Sequence, residues 1–169
     1  MAMAEYGATR KGGECVFCDI VRQNDPRKIF WQDDSHVAFL AIDPNTPGFS
    51  VVIPKAHLGS DVLKMDTDEL SNLVLAAKQV SKILEDYYDD VGRVGLIMEG
   101  TGIDHAHIKL FPMHGTEHLK RGEWRQQFSD VEHWFDTYEG WISSAGGPFA
   151  DASELAELTR KIRESIKQL

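Results

Sequence analysis

The sequence predicts an α+β fold: a five-stranded antiparallel sheet with one long helix, followed by an aromatic extension that ends in a helix. Three observations carry this. Three short β-type runs follow one another between residues 29 and 54, separated only by turns. One amphipathic helical pattern then runs from Leu70 to Tyr87, after a capping pattern at residues 66–69. Two more β-type runs follow before residue 112. Strands joined by turns alone pair antiparallel, whereas regular alternation with helices would have pointed to a parallel sheet.

Each element has its own signal. Residues 1–14 are polar, carry Gly7, Gly12 and Gly13, and read as a loose lead-in. Cys15-Val16-Phe17-Cys18-Asp19-Ile20-Val21 reads as a helical turn or short helix. Ile29-Phe30-Trp31-Gln32 is a first strand, closed by Asp33-Asp34. His36–Ile42 is a second, ended by the turn cluster Asp43-Pro44-Asn45-Thr46-Pro47-Gly48. Phe49–Pro54 is a third, rich in β-branched residues, and so compact a turn makes it a hairpin with the second. Asp66-Thr67-Asp68-Glu69 has the form of a capping box. Leu70, Leu73, Val74, Ala77, Val80, Leu84 and Tyr87 then recur at helical spacing, predicting a helix of about five to six turns whose apolar stripe is core. Asp86, Asp89 and Asp90 make a solvated acidic tip. Arg93–Glu99 is the fourth strand, Gly100-Thr101-Gly102-Ile103 a tight loop, and residues 105–112 the fifth strand.

The domain is therefore expected over residues 15–112, with an extension over 113–169. That extension holds Trp124, Phe128, Trp134, Phe135, Tyr138 and Trp141 without clear period, which points to an excursion packed over the domain or a partner subunit. Asp151-Ala152-Ser153-Glu154 repeats the capping-box form ahead of Leu155, Leu158, Ile162 and Ile166, the apolar face of a closing helix.

Composition narrows the class. A chain of 169 residues with 42% hydrophobic and 27% charged residues has the balance of a soluble globular domain. A net charge of −9 argues against broad nucleic-acid or anionic-membrane binding, yet leaves room for a phosphorylated small molecule held by a local cluster. No apolar run reaches a membrane span and the first residues lack the form of a signal peptide, so the expected location is cytoplasmic. Two cysteines give no disulfide framework.

The chemistry concentrates in Asp104-His105-Ala106-His107-Ile108-Lys109-Leu110-Phe111-Pro112. Read with period two, Ala106, Ile108 and Leu110 face a core, and His105, His107, Lys109 and Phe111 face the other way. Groups two apart on one strand face lie roughly 6–7 Å from each other, close enough to share a phosphate or a metal. A polar strand edge facing solvent explains the pattern equally well. Cys15-x-x-Cys18 is half a zinc site, a redox dithiol, or two small hydrophobes; the redox reading lacks a preceding strand. Gly100-Thr101-Gly102 either offers backbone N–H groups to an anion or is merely a turn. Cys15, Cys18, His57 and His105 together make a tetrahedral zinc set that would staple the N-terminal segment to the sheet. A minor alternative makes His105 and His107 ligands of a hydrolytic zinc. His36, His114, His118 and His133 read as surface residues.

Cys15-x-x-Cys18, Ile42-Asp43-Pro44-x-x-Pro47-Gly48, Val52-Ile53-Pro54-Lys55-x-His57 and His105-x-His107-x-Lys109-Leu110-Phe111-Pro112, in that order, resemble the zinc-bearing branch of the histidine triad (HIT) superfamily. The resemblance implies nucleotide hydrolases or nucleotidyl transferases that attack an α-phosphate on a small nucleotide or phosphoramidate, as homodimers whose sheets join. It makes His107 the nucleophile and His105 a zinc ligand, beside positions like Cys15, Cys18 and His57. It places loop N–H groups of Gly100, Thr101 and Gly102 at phosphate, and Phe17, Val37 and Phe39 near a nucleoside. The third triad histidine is Lys109 here, and the usual ribose acid is Ala41. Thr101 and Gly102 stand where the family often has Gln and Ser, and Met98-Glu99-Gly100 lacks an asparagine. These departures leave a competing expectation: a zinc-stabilised nucleotide-binding or interaction protein without catalysis.

Overall fold

Five strands form one antiparallel sheet in the computed structural model, which describes residues 15–124 and 151–153. They are β1 (Ile29–Gln32), β2 (His36–Leu40), β3 (Ser50–Pro54), β4 (Val91–Ile97) and β5 (Ile108–His114), in the order β1-β2-β3-β5-β4. The helices α1 (Val16–Gln23) and α2 (Thr67–Tyr87) accompany them. The chain divides into two units, residues 1–123 and 124–169. Of the second, Trp124 is exposed, and the Asp151 carboxylate caps the turn at Ser153, 2.8 Å from its N–H. The rest of the predicted closing helix lies outside the described residues.

Period-two alternation decides which side of the sheet each residue serves. Ala38, Val52, Ile108 and Leu110 pack with Leu73, Ala76, Ala77, Val80 and Leu84 of α2. Val37, Phe39, Val51 and Ile53 pack on the opposite side with Cys15 and Phe17 of the N-terminal segment. Each large apolar side chain so buried contributes about 1.5–3 kcal/mol. The candidate site residues Cys15, Phe17, Cys18, Val37 and Phe39 belong to this second layer.

α2 starts where the capping pattern put it: the Asp66 carboxylate accepts from the N–H of Asp68 at 2.9 Å. Its buried stripe is narrower than expected. Val74 is 38% and Tyr87 77% exposed, while Ala76 is buried. The sheet covers only the arc through Leu73, Ala76/Ala77, Val80 and Leu84; Val74 is rotated about 100° from Leu73, and Tyr87 sits in the last turn beyond the sheet. β2 stops at Leu40, leaving Ile42 fully exposed, and β4 runs two residues earlier than expected.

β5 differs most from its expected bounds. It begins at Ile108, because only there does it meet β3, with Val52 opposite Ile108. Upstream, the backbone N–H groups go elsewhere: Ala106 donates to Leu58 and His105 to Ile103. It continues past Pro112 to His114, since beyond Leu110 its remaining partner is β4 and a residue without N–H is tolerated. Gly92 meets the segment after β5 so closely that a Cβ there would lie 2.0 Å from the Thr116 carbonyl oxygen. Gly48 closes the β2–β3 connection at φ +80°, against the Tyr88 ring.

Of the histidines expected at the surface, His36 is buried, while His114 stays partly exposed but is held by two hydrogen bonds. The His36 Nδ1 is 3.1 Å from the Asp33 carboxylate. His114 reaches Asp90 through Nδ1 at 3.1 Å and the Pro47 carbonyl through Nε2 at 3.0 Å, which only the protonated ring satisfies on both sides. The Pro47 bond, then Asp90, raise the His114 pKa above 6.5; the His114 bond, first among its causes, lowers Asp90 below 3.8. The raised histidine stabilises fully below 6.5 and loses its effect as pH rises through its folded value. The depressed carboxylate stabilises above 3.8 and loses its effect as pH falls through its folded value. The tie between Pro47 and β5 is thus strongest between 3.8 and 6.5. An NMR titration of the His114 ring should give a midpoint above 6.5 that falls in Asp90→Asn; a midpoint at or below 6.5 would remove the tie.

Candidate active site and metal cluster

Four side chains from three parts of the chain converge beside the N-terminus of α1. Cys15 caps that helix and Cys18 lies in its first turn; His57 follows β3, and His105 precedes β5. Their ligand atoms all lie within 4.8 Å of one another. The His57 and His105 Nδ1 atoms are 3.2 Å apart, Cys18 Sγ is 3.3 Å from His57 Nδ1 and 3.6 Å from His105 Nδ1, and Cys15 Sγ is 3.5 Å from His105 Nδ1. A tetrahedral ion with metal–sulfur bonds of ~2.3 Å and metal–nitrogen bonds of ~2.05 Å has edges of about 3.3 Å between nitrogens and about 3.5 Å between nitrogen and sulfur. Four of the six edges of such a tetrahedron are therefore already held, and the other two lie within 4.8 Å.

The surroundings fit a cation too. His105 Nε2–H donates to the Pro54 carbonyl at 2.9 Å, so its Nδ1 lone pair faces the thiols. Burial lowers the His105 pKa, keeping the ring neutral as a ligand must be. Burial, with the neighbouring Cys15 thiol, pushes Cys18 up to about 11, so forming a thiolate there calls for a positive charge at the cluster. Both histidines of the His-x-His pair are buried, so the solvent-facing strand edge is not what this stretch forms.

His107 points away from this cluster. Its Nδ1–H donates to the His105 carbonyl at 2.7 Å, which fixes the tautomer and leaves Nε2 with its lone pair. The Phe17 ring stands edge-on to it at 5.6 Å. Burial lowers the His107 pKa, so the imidazole is neutral near pH 7. Beside it, Lys109 forms an ion pair with Glu99 of the β4–β5 connection.

His107 and Lys109 line a cleft of about 770 Å³, together with Phe17, Phe39, Thr101 and Gly102. Val37 lies beneath this surface in the second core layer, and Gly100 borders a separate depression of about 290 Å³ with Ser60 and Glu99. Ala41 lines the cleft, and so does Asp43. Sequence reasoning missed Asp43, and also Arg27 and Lys28, which line the cleft from the turn before β1. That turn is a run of charged residues with no periodicity to say which of them faces inward. In the sequence Glu99 stands out only for not being asparagine. Its signal is strand register: Ile97 pairs with Lys109, so a residue two further along β4's path comes level with His107, diagonal to Lys109.

The HIT domain model matches residues 22–115. An uncharacterised HIT-like protein of Methanocaldococcus jannaschii is 31% identical over 115 residues, spanning 64% of this chain and 88% of that protein. The adenosine 5′-monophosphoramidase of Saccharomyces cerevisiae is 27% identical over 119 residues, 70% of this chain and 74% of that one. A solved structure from Streptococcus mutans shares the fold with a TM-score of 0.61 at 24% identity, over 96% of this chain and 94% of that one. With the sheet, the cluster and the His-x-His strand in place, the chain belongs to the HIT domain family.

Proposed function

We propose that the protein is a nucleotide hydrolase or nucleotidyl transferase whose nucleophile is His107. The observation that carries this is the 2.7 Å bond from Nδ1 to the His105 carbonyl, in a buried ring that lines an apolar-walled, cation-bearing cleft. A nucleophile needs a lone pair of fixed direction, and that bond supplies it. Nε2 attacks the α-phosphorus and forms a P–N bond; the bond to the leaving group breaks and its electron pair leaves with that group. Water, or an acceptor hydroxyl, then attacks phosphorus. The P–N pair returns to Nε2, and the proton of the attacking oxygen passes to solvent. Phe17 and Phe39 suit a nucleobase, the N–H groups of Thr101 and Gly102 suit phosphate oxygens, and Lys109 in the third triad position balances their charge. The Saccharomyces relative makes adenosine nucleotides the first to offer.

We assign the four-residue cluster to zinc. Two thiolates and two imidazoles suit that ion, and four protein ligands leave it no open position for substrate. Zinc there would hold α1 and the histidine-bearing segment against the sheet. His107 is not within this ligand group, which disfavours a hydrolytic metal centre. Thiols serving as ligands also suit a reducing, cytoplasmic compartment. A homodimer joined at the β4 edge completes the reading.

Native mass spectrometry after rapid quenching tests it. With dinucleoside polyphosphate or nucleoside phosphoramidate, one nucleotidyl group should appear on the peptide containing His107, on a dimer of twice the 19.0 kDa chain. Bound but never covalently attached nucleotide would leave the non-catalytic reading, and a single-chain mass would remove the dimer.

A further inference from the structure

We propose that Glu99 is a positioning residue for Lys109, and that the pair selects substrates whose leaving group departs as a phosphate-type anion rather than as an amine or alcohol. This rests on the proposed attack by His107.

The ion pair is largely out of water, with the Glu99 side chain 13% and the Lys109 side chain 26% exposed. Lysine carries its charge on a long, freely rotating stem, and without a partner it would sample many positions over the cleft. Glu99 lines the separate depression with Ser60 and Gly100, while Lys109 lines the cleft itself. The carboxylate therefore holds the ammonium beside His107 without entering the substrate space. Thr101 in turn approaches Glu99, with its hydroxyl 3.4 Å from Oε1.

A cation held in this way suits one kind of departure. When His107 Nε2 bonds to phosphorus, the scissile bond's electron pair must settle on the leaving atom. If that atom is an oxygen of a phosphate or nucleotide, the charge spreads over the phosphate. The Lys109 ammonium then meets it by turning a second N–H toward it, and no proton need move. If the leaving atom belongs to an amine or alcohol, it must gain a proton as the bond breaks. Surrendering that proton would strand the Glu99 carboxylate beside a neutral amine in a poorly hydrated site, a costly arrangement. The same geometry that steadies an anionic leaving group thus withholds the proton from a basic one.

The test compares three substrates of one nucleoside: its 5′-diphosphate, its 5′-phosphoramidate and its 5′-(p-nitrophenyl phosphate), whose leaving group needs neither a proton nor a held cation. Wild type should turn over the diphosphate at least tenfold faster than the phosphoramidate relative to the aryl ester, and Glu99→Gln should shrink that preference by about tenfold to a hundredfold, as expected for a misplaced group. Glu99→Asp, which keeps the charge, should recover part of it. Circular dichroism and melting of each variant identify any that do not fold; for those, the preference in wild type and in Lys109→Gln decides. Equal handling of phosphoramidate and diphosphate by wild type, or an equal loss on all three substrates in Glu99→Gln, overturns the proposal. Absence of turnover and of adduct even with the aryl ester removes the His107 reading itself, and this inference with it.

Discussion

Stripping the proposed zinc with a chelator is expected to lower the melting temperature by on the order of 10–20 °C, about 3–5 kcal/mol for a unit of this size. The argument starts from α1. At eight residues it is too short to be helical alone and is held by what it touches. Cys15 and Phe17 are its buried contacts, and two of the four cluster groups are its cysteines. Without a cation, the thiols and imidazoles remain packed 3.2–3.6 Å apart with only weak hydrogen bonds among them. Phe17, which stands against both His105 and His107, is then no longer anchored, so the proposed nucleobase wall and the packing of His107 loosen together. Activity should fall in step with metal loss. Metal analysis should find one zinc per chain in wild type and in His107→Ala, and none in Cys15→Ser or Cys18→Ser. A metal-free protein melting at the same temperature as the purified one would end the staple argument.

Periodicity made most of this architecture legible. Alternation identified Ala106, Ile108 and Leu110 as core and put His105, His107, Lys109 and Phe111 on the other side, and the structure separates them so: Phe111 stacks on Phe49 at 4.4 Å, away from the α2 layer. The strand count and the antiparallel pairing also followed from patterns within the chain. What local patterns could not reach was set by distant partners. β5 begins where Val52 of β3 meets it, a pairing 56 residues away in sequence, so its start was misplaced. The burial of His36 and the bonds that hold His114 are not legible locally because their acceptors, Asp33, Asp90 and Pro47, become neighbours only through a turn or through the fold. The cluster residues were findable since Cys-x-x-Cys and His-x-His have chemical spacing of their own. Arg27, Lys28 and Asp43 lack such spacing; only the cleft unites them. Glu99 required the register of β4 on β5, which no single strand encodes.

His107→Ala is expected to reduce turnover by about 10⁴-fold or more and to abolish the covalent adduct, because removing a nucleophile disables both half-reactions at once. Lys109→Ala should cost less, roughly 10²–10³-fold, the usual effect of losing one group that stabilises developing charge. The contrast matters because both residues line one cleft and a binding defect would touch each alike. His107 also packs against Phe17, so a cavity at the alanine variant costs some stability, and activity must be compared on folded protein. Chemical rescue separates the two effects. In His107→Gly, free imidazole can occupy the space left by the ring and attack phosphorus in its place. The product would then be a nucleotidyl-imidazole released to solution, with no nucleotide on the protein. Rescue by imidazole, with the metal retained, would assign the lost step to the ring's lone pair. Turnover in His107→Ala within tenfold of wild type would instead move the chemistry off this residue and leave the carbonyl-held imidazole as a packing feature.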